Sequence, residues 1–131
     1  MLTHNPVEES SLKEYSPLVL AYIGDAVFEL AVRTRIAEGG PRRIKDIHLD
    51  TVALVNADSQ ADIIRNISPE LTEAEQDIVR RGRNTRSHPP KNADVGSYRM
   101  STGFEALLGY LYLRGDDERL DYLLDKALEI I

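Results

Sequence analysis

Two long apolar stretches, each with an acid near its middle, constrain how this chain can fold more than any other feature of its sequence. They are LVLAYIGDAVFEL, which contains Asp25, and STGFEALLGYLYL, which contains Glu105. A carboxylate in an otherwise apolar helix loses its hydration on burial, so it persists only where a cation, a hydrogen-bond donor or a reaction compensates it. The two acids therefore predict a metal site.

Length and composition limit the remaining possibilities. The chain has 131 residues, a net charge of -6 and 42% hydrophobic residues, which predicts one globular domain over residues 1–131. Because it has no cysteine, disulfides and thiolate zinc sites are excluded. Residues 1–15 are polar and do not resemble a secretory signal. Since no uncharged apolar run reaches the roughly 18 residues of a membrane span, we expect a soluble, cytoplasmic protein without a membrane partner.

The spacing of apolar residues predicts an all-α bundle of five or six helices and shows no alternating strand pattern. The predicted helices cover residues 17–37, 42–66, 72–83, 97–113 and 117–130, and the second is expected to break near His48. Pro17 suits the start of the first helix, and Thr72 with Glu75 forms a capping-box pattern. The first helix is apolar on nearly every side, which predicts that neighbouring helices bury it. Gly24 is expected to allow close approach of another backbone.

A basic region stands out in this otherwise acidic chain. Residues 84–96 contain two consecutive prolines and no periodicity, which predicts a loop. The cations in and around this loop, here called the basic strip, are Arg80, Arg81, Arg83, Arg86, Lys91 and Arg99. One interpretation is a solvated helix end, where the backbone dipole favours cations. We favour a phosphate-binding strip, because the planar fork of arginine suits phosphate oxygens and the loop leads directly into the helix of Glu105.

Three motifs, spaced over nearly the whole chain, resemble a known family. They are YIGDAVFEL, FEALLGYLYL and, between them, Leu54-Val55-Asn56. The first two are similar to the Gly-Asp-Ala-Val and Phe-Glu-Ala-Leu motifs of the ribonuclease III catalytic domain. RRGRN, PKN and YRMSTGFEAL, together with the absence of a following double-stranded-RNA-binding domain, are similar to the short class called Mini-III ribonuclease.

The resemblance implies an all-α, homodimeric endoribonuclease that hydrolyses double-stranded RNA with Mg²⁺, for which Mn²⁺ can substitute. For the short class it implies maturation of precursor ribosomal RNA of the large subunit, with no nucleotide cofactor. Asp25 and Glu105 would be the catalytic, metal-binding acids, and the basic strip would hold the RNA. General chemistry agrees, because a divalent ion with oxygen ligands polarises a phosphate and activates a bound water.

Some positions depart from the pattern of full-length ribonuclease III. Leu18, Ala21 and Thr102 stand where the longer enzymes have acids, so we expect water or phosphate oxygens to complete a thinner metal shell. Thr102 and Glu29 are candidates for positioning the metal ligands, although pairing with an arginine is the simpler interpretation of Glu29.

Three alternatives stay open at this point. One is a helical interaction protein with no role on RNA. The reduced set of acids favours a non-catalytic module that binds structured RNA. Alternatively, buried arginines could neutralise Asp25 and Glu105, which would make the two acids a structural feature.

Overall fold

The computed structural model describes residues 2–85 and 88–129, and in these ranges all regular structure is helical. The all-α prediction is therefore confirmed. The helices are α1 (Glu9–Leu12), α2 (Pro17–Glu38), α3 (Ile44–Val55), α4 (Ala57–Ile67), a 3-10 turn (Ser68–Glu70), α5 (Glu73–Asn84), α6 (Val95–Arg114) and α7 (Asp117–Glu129). Within the ranges described, none of them has the length and apolar character needed to cross a membrane.

Local sequence signals set several helix ends as predicted. The Ser16 hydroxyl accepts a hydrogen bond from the Val19 N–H at 3.2 Å, directly before Pro17 in the first turn of α2. At the start of α5, the Thr72 hydroxyl accepts from the Glu75 N–H and the Glu75 carboxylate accepts from the Thr72 N–H. This reciprocal pair is the predicted capping box.

The predicted break near His48 is wrong, because His48 lies inside α3. The break falls at Asn56, which ends α3 and begins α4. Its side-chain amide donates to carbonyls in the last turn of α3, and its Oδ1 accepts from the Ser59 N–H at 2.9 Å. An asparagine that bonds to backbone on both sides can end one helix and start the next.

The helix that carries Glu105, α6, is the centre of the fold, and α2, α5 and α4 pack around it. Two glycines allow α2 and α6 to cross in backbone contact. A Cβ at Gly24 would lie 1.6 Å from the carbonyl oxygen of Glu105, and one at Gly109 would lie 1.9 Å from that of Leu20. Only glycine fits at these two positions, which confirms the prediction for Gly24.

The hydrophobic core lies between α6 and the helices around it. Phe28 of α2 and Phe104 of α6 meet edge to face, with ring centroids 5.2 Å apart. The largest fully buried side chains also include Leu20, Ile64, Leu107, Leu111 and Leu123.

The prediction that neighbouring helices bury α2 on nearly every side is wrong. Leu18, Val19, Tyr22 and Leu30 on this helix are exposed, and Tyr22 retains 78% of its accessible surface. On α3, which packs against α2, Ile44, Leu49 and Val52 are exposed as well. These seven side chains are called the apolar face below.

The N-terminal segment and the loop before α6 differ from the sequence-based predictions. In the N-terminal segment, the Val7 N–H donates to the Leu113 carbonyl at 2.8 Å and Leu12 is buried, so this segment packs on α6. The predicted loop over residues 84–96 is shorter, because α5 extends through Asn84 and α6 begins at Val95. The Asp94 carboxylate accepts from the Ser97 N–H and caps α6.

Candidate metal centre

The two acids predicted from the sequence face each other where α2 crosses α6. Asp25 follows Gly24, and Glu105 lies one turn before Gly109, so the contact between the two backbones also brings the carboxyl groups close enough for Asp25 to raise the pKa of Glu105. Asp25 is exposed, whereas Glu105 is half-buried. The pair therefore has one side in the protein and one side open to solvent.

The surroundings of Glu105 disfavour its charged form. Burial raises the pKa of the Glu105 carboxyl from 4.5 to about 9, and Asp25 contributes to this rise by hydrogen bonding and by charge repulsion. A hydrogen bond from the Gln60 side chain acts in the opposite direction. Two adjacent carboxyl groups favour sharing a proton, and a divalent cation between them would take its place.

The donor set fits a hard divalent cation. Mg²⁺ is commonly held by one or two carboxylates and retains several waters or takes phosphate oxygens as further ligands. Across residues 2–85 and 88–129, no group of three or more His, Cys, Asp or Glu side chains is arranged to hold a metal. Asp25 and Glu105 would thus supply two protein ligands, and the thinner metal shell expected from the sequence stays a prediction.

The alternative of acids neutralised by buried arginines is not supported. Among the ion pairs of the described part of the chain, none involves Asp25 or Glu105. The side chains that act on the Glu105 carboxyl are those of Asp25 and Gln60.

The two candidate positioning residues have other hydrogen-bond partners. The Glu29 carboxylate accepts from Arg33 Nη2 at 2.7 Å, which agrees with the arginine-pair interpretation. The Thr102 hydroxyl is buried and donates to the Tyr98 carbonyl at 3.0 Å. A role for either residue in positioning metal ligands stays a prediction.

Gln60 is a site residue that the sequence analysis missed. It lies in α4, four residues after the cap Asn56, and only 2% of its surface is exposed. Its Nε2 donates to the Val55 carbonyl at 3.1 Å, and its side chain lowers the pKa of Glu105. The available signal was its position just after the Leu54-Val55-Asn56 motif, although a glutamine there is equally compatible with an exposed position.

The basic strip has members on α5, in the loop and on α6. Arg80 and Arg83 line a cavity of about 290 Å³ between α4, α5 and α6. Arg80 pairs with Asp77, and Arg83 Nε donates to Asn84 Oδ1 at 3.3 Å.

The other members of the strip are placed as follows: Arg81 is half-buried at the end of α5, Lys91 and Arg99 are exposed, and Arg86 lies outside the described residues. Within the ranges that the structure covers, the hydrogen bonds of the strip do not reach Asp25 or Glu105. The packing of α5 on α6 connects the two regions.

Comparisons with known proteins identify the family of this chain. The Ribonuclease III domain model matches residues 18–116, a range that contains Asp25, Gln60 and Glu105. Mini-ribonuclease 3 of Symbiobacterium thermophilum is 52% identical over 116 residues, which are 88% of this chain and 89% of that protein. Mini-ribonuclease 3 of Staphylococcus aureus is 39% identical over 127 residues, 95% of each chain. The X-ray crystal structure of a Fusobacterium nucleatum protein is similar with a TM-score of 0.82 and 29% identity, covering 91% of this chain and 96% of that one.

Proposed function

The chain belongs to the ribonuclease III family of endoribonucleases, and we propose that it hydrolyses double-stranded RNA at the Asp25–Glu105 pair with Mg²⁺ as cofactor. The observation that carries this proposal is the convergence of two carboxyl groups from different helices, half-buried on one side and open to solvent on the other. Such a pair is costly without a cation and is a suitable site for one.

The protein's own contribution is to hold the two carboxylates in place. A divalent ion at this pair would polarise a phosphate and activate a water. Gly24 and Gly109 set the spacing of α2 and α6, while the contact between Phe28 and Phe104 fixes the same crossing from within the core. The exposed Asp25 lies on the side that a phosphate strand can reach.

The basic strip is proposed to hold the RNA backbone. Paired RNA hides its base faces, so proteins recognise duplexes mainly through phosphates and 2′-hydroxyl groups. Arginine suits this contact because it can bond two phosphate oxygens at once. In a chain with a net charge of -6, a local strip of cations directs a polyanion to one place.

The apolar face supports a homodimer. Exposed apolar side chains grouped on neighbouring helices are typical of a protein–protein contact. Tyr22 lies one turn before Asp25 on α2, so a second copy on this face would lie beside the metal centre. We expect Tyr22→Asp to convert a dimer into a monomer in analytical ultracentrifugation. Val95→Asp, at another exposed apolar residue, is the control and should stay dimeric, and a monomeric wild-type protein would refute the dimer.

The substrate is proposed to be precursor ribosomal RNA of the large subunit, processed in the cytoplasm. Support comes from the resemblance to the short class and from relatives named Mini-ribonuclease 3. A precursor transcript should be cut at few positions and faster than an unrelated duplex of equal length. Equal rates on both would argue against this substrate.

Cleavage and binding measured together test the proposed activity. Wild-type protein should cut a long duplex RNA with Mg²⁺ or Mn²⁺, whereas Asp25→Asn and Glu105→Gln should bind the duplex without cutting it. Asp125→Asn is the matched control, because it makes the same chemical change at an exposed acid of α7 that pairs with Arg35. Binding without cleavage by the wild type would favour the non-catalytic RNA-binding alternative. A wild type that neither binds nor cuts duplex RNA would refute both the enzyme and the RNA-binding alternative.

A further inference from the structure

We propose that the cavity between α4, α5 and α6 binds one unpaired nucleotide of a duplex RNA, with its base inside the cavity and its phosphate at the arginine rim. This cavity, called the side cavity below, has a volume of about 290 Å³ and is lined by Arg80 and Arg83 of the basic strip. The inference rests on the proposed function, since it takes the basic strip to hold RNA. It adds a structural feature that the substrate should carry.

The charge of its lining distinguishes the side cavity from other cavities of the chain. Within the part that the structure describes, both of its charged lining residues are arginines. A cavity of about 620 Å³ between α2 and α7 is lined by three acids and one arginine, and one of about 310 Å³ beside α5 is lined by two acids and two arginines. An anionic ligand therefore matches the side cavity best.

The two arginines of the rim differ in their neighbours. Arg80 pairs with the carboxylate of Asp77, which offsets its charge. Arg83 Nε donates at 3.3 Å to Asn84 Oδ1, which belongs to a neutral amide. Arg83 is also exposed, so its guanidinium is the better placed of the two to bond a phosphate.

The interior of the side cavity is more apolar than a phosphate alone would need. Leu71 and Val79 are buried and Met100 is half-buried, while Ser68 and Gln76 add a hydroxyl and an amide to the lining. Both of these polar groups can donate and accept hydrogen bonds. A nucleobase has apolar faces and a polar edge, so it matches both parts of the lining. Because ligand pockets begin at roughly 300 Å³, a single base is a suitable size.

Only a nucleotide outside the paired stack can use this cavity. Paired RNA hides its base faces, and moving a base out of the stack costs least when it has no partner. The duplex phosphates would lie along the basic strip while an unpaired neighbour turns into the side cavity. The enzyme should therefore prefer a duplex that is interrupted by an unpaired nucleotide.

A series of duplex RNAs tests this preference. One duplex is fully paired, and the others carry one additional unpaired nucleotide that is moved along the strand one position at a time. We expect wild-type kcat/KM to rise by roughly 5- to 10-fold when the nucleotide lies at one particular distance from the cut, the lower end for base stacking because the lining is aliphatic. Equal rates at every position would overturn the inference.

Filling the cavity should abolish the preference. Ser68→Phe places a ring in the side cavity and should cut the interrupted and paired duplexes at equal rates. This ratio does not depend on how much of the protein is folded, because both rates come from the same sample. Ala74→Phe, the matched control, places the same ring beside the 310 Å³ cavity and should keep the preference. A preference retained in Ser68→Phe, or lost in both variants, would overturn the inference.

A fluorescence measurement on the wild type in EDTA covers the case in which Ser68→Phe does not fold. Stacking in RNA quenches 2-aminopurine, so this base should become brighter on binding when it is the unpaired nucleotide and stay unchanged when it is paired. An unpaired 2-aminopurine that does not brighten would overturn the inference. A wild type that cuts no duplex RNA refutes the proposed function, whereas an active wild type without the preference refutes only the nucleotide site.

Discussion

Glu105→Gln should stabilise the folded protein when no divalent cation is present. Burial, with the added effect of Asp25, raises the pKa of Glu105 from 4.5 to about 9, so at neutral pH folding requires either proton uptake or an uncompensated charge. At about 1.4 kcal/mol per pH unit above the unfolded pKa, the cost at pH 7 is at most roughly 3.5 kcal/mol. Since water screens the open side of the pair, we expect a gain of about 1–2 kcal/mol from the neutral isostere.

The pH dependence of this gain has a defined sign. An acid whose pKa is raised by folding costs nothing below its unfolded pKa, and its cost grows as the pH rises from 4.5 toward about 9. Urea unfolding with EDTA should therefore show a small difference between Glu105→Gln and wild type near about pH 5, and a larger one near about pH 8. Added Mg²⁺ should stabilise the wild type more than the variant. The ion binds only the folded state, and the variant lacks the Glu105 carboxylate that would bind it.

Two outcomes would refute this reasoning. One is a variant that is less stable than wild type in EDTA near about pH 8, and the other is a gain that does not change with pH. Glu29→Gln is the control for stability. The Glu29 carboxylate pairs with Arg33, so its replacement should not raise the free energy of unfolding.

Three further predictions concern the support of the site. Gly109→Ala should lower the free energy of unfolding by about 1–3 kcal/mol or more in urea titrations, because its Cβ would lie 1.9 Å from the Leu20 carbonyl oxygen; a neutral effect would contradict the close crossing. Burial alone would raise the pKa of Glu75, but hydrogen bonds that include those from Arg119 hold it below 4.5. Glu75→Gln should therefore cost about 2 kcal/mol at pH 7, a loss that disappears as the pH falls through the folded pKa; a constant loss would contradict this pairing. Arg83→Glu should weaken duplex binding and reduce the salt slope by roughly 1 or more in filter-binding assays, and an unchanged slope would exclude a phosphate contact.

Much of the fold follows from local sequence signals. The capping box at Thr72 and Glu75 and the proline at the start of α2 depend on residues close in the chain, so their effect is visible without the fold. The pairing of Asp25 with Glu105 could also be expected, because an acid in an apolar helix needs a compensating group where that helix is packed against another.

Other features depend on contacts between distant segments. Gln60 and Gln76 occupy the same position after a helix cap, and only the packing of α4 against α6 makes one of them a neighbour of Glu105. The exposure of Tyr22 could not be predicted from the sequence either. An apolar residue predicts burial, but the sequence does not say whether this chain or a partner protein buries its side chain.

Direct measurement of metal binding is the strictest test of the central claim. Electron paramagnetic resonance of Mn²⁺ added to the protein without RNA should show a bound ion in the wild type and in Asp125→Asn, a control at an exposed acid that pairs with Arg35. Asp25→Asn and Glu105→Gln should each weaken this binding by at least about 10-fold. Undiminished Mn²⁺ binding in both of these variants would contradict the assignment of the Asp25–Glu105 pair as the metal centre.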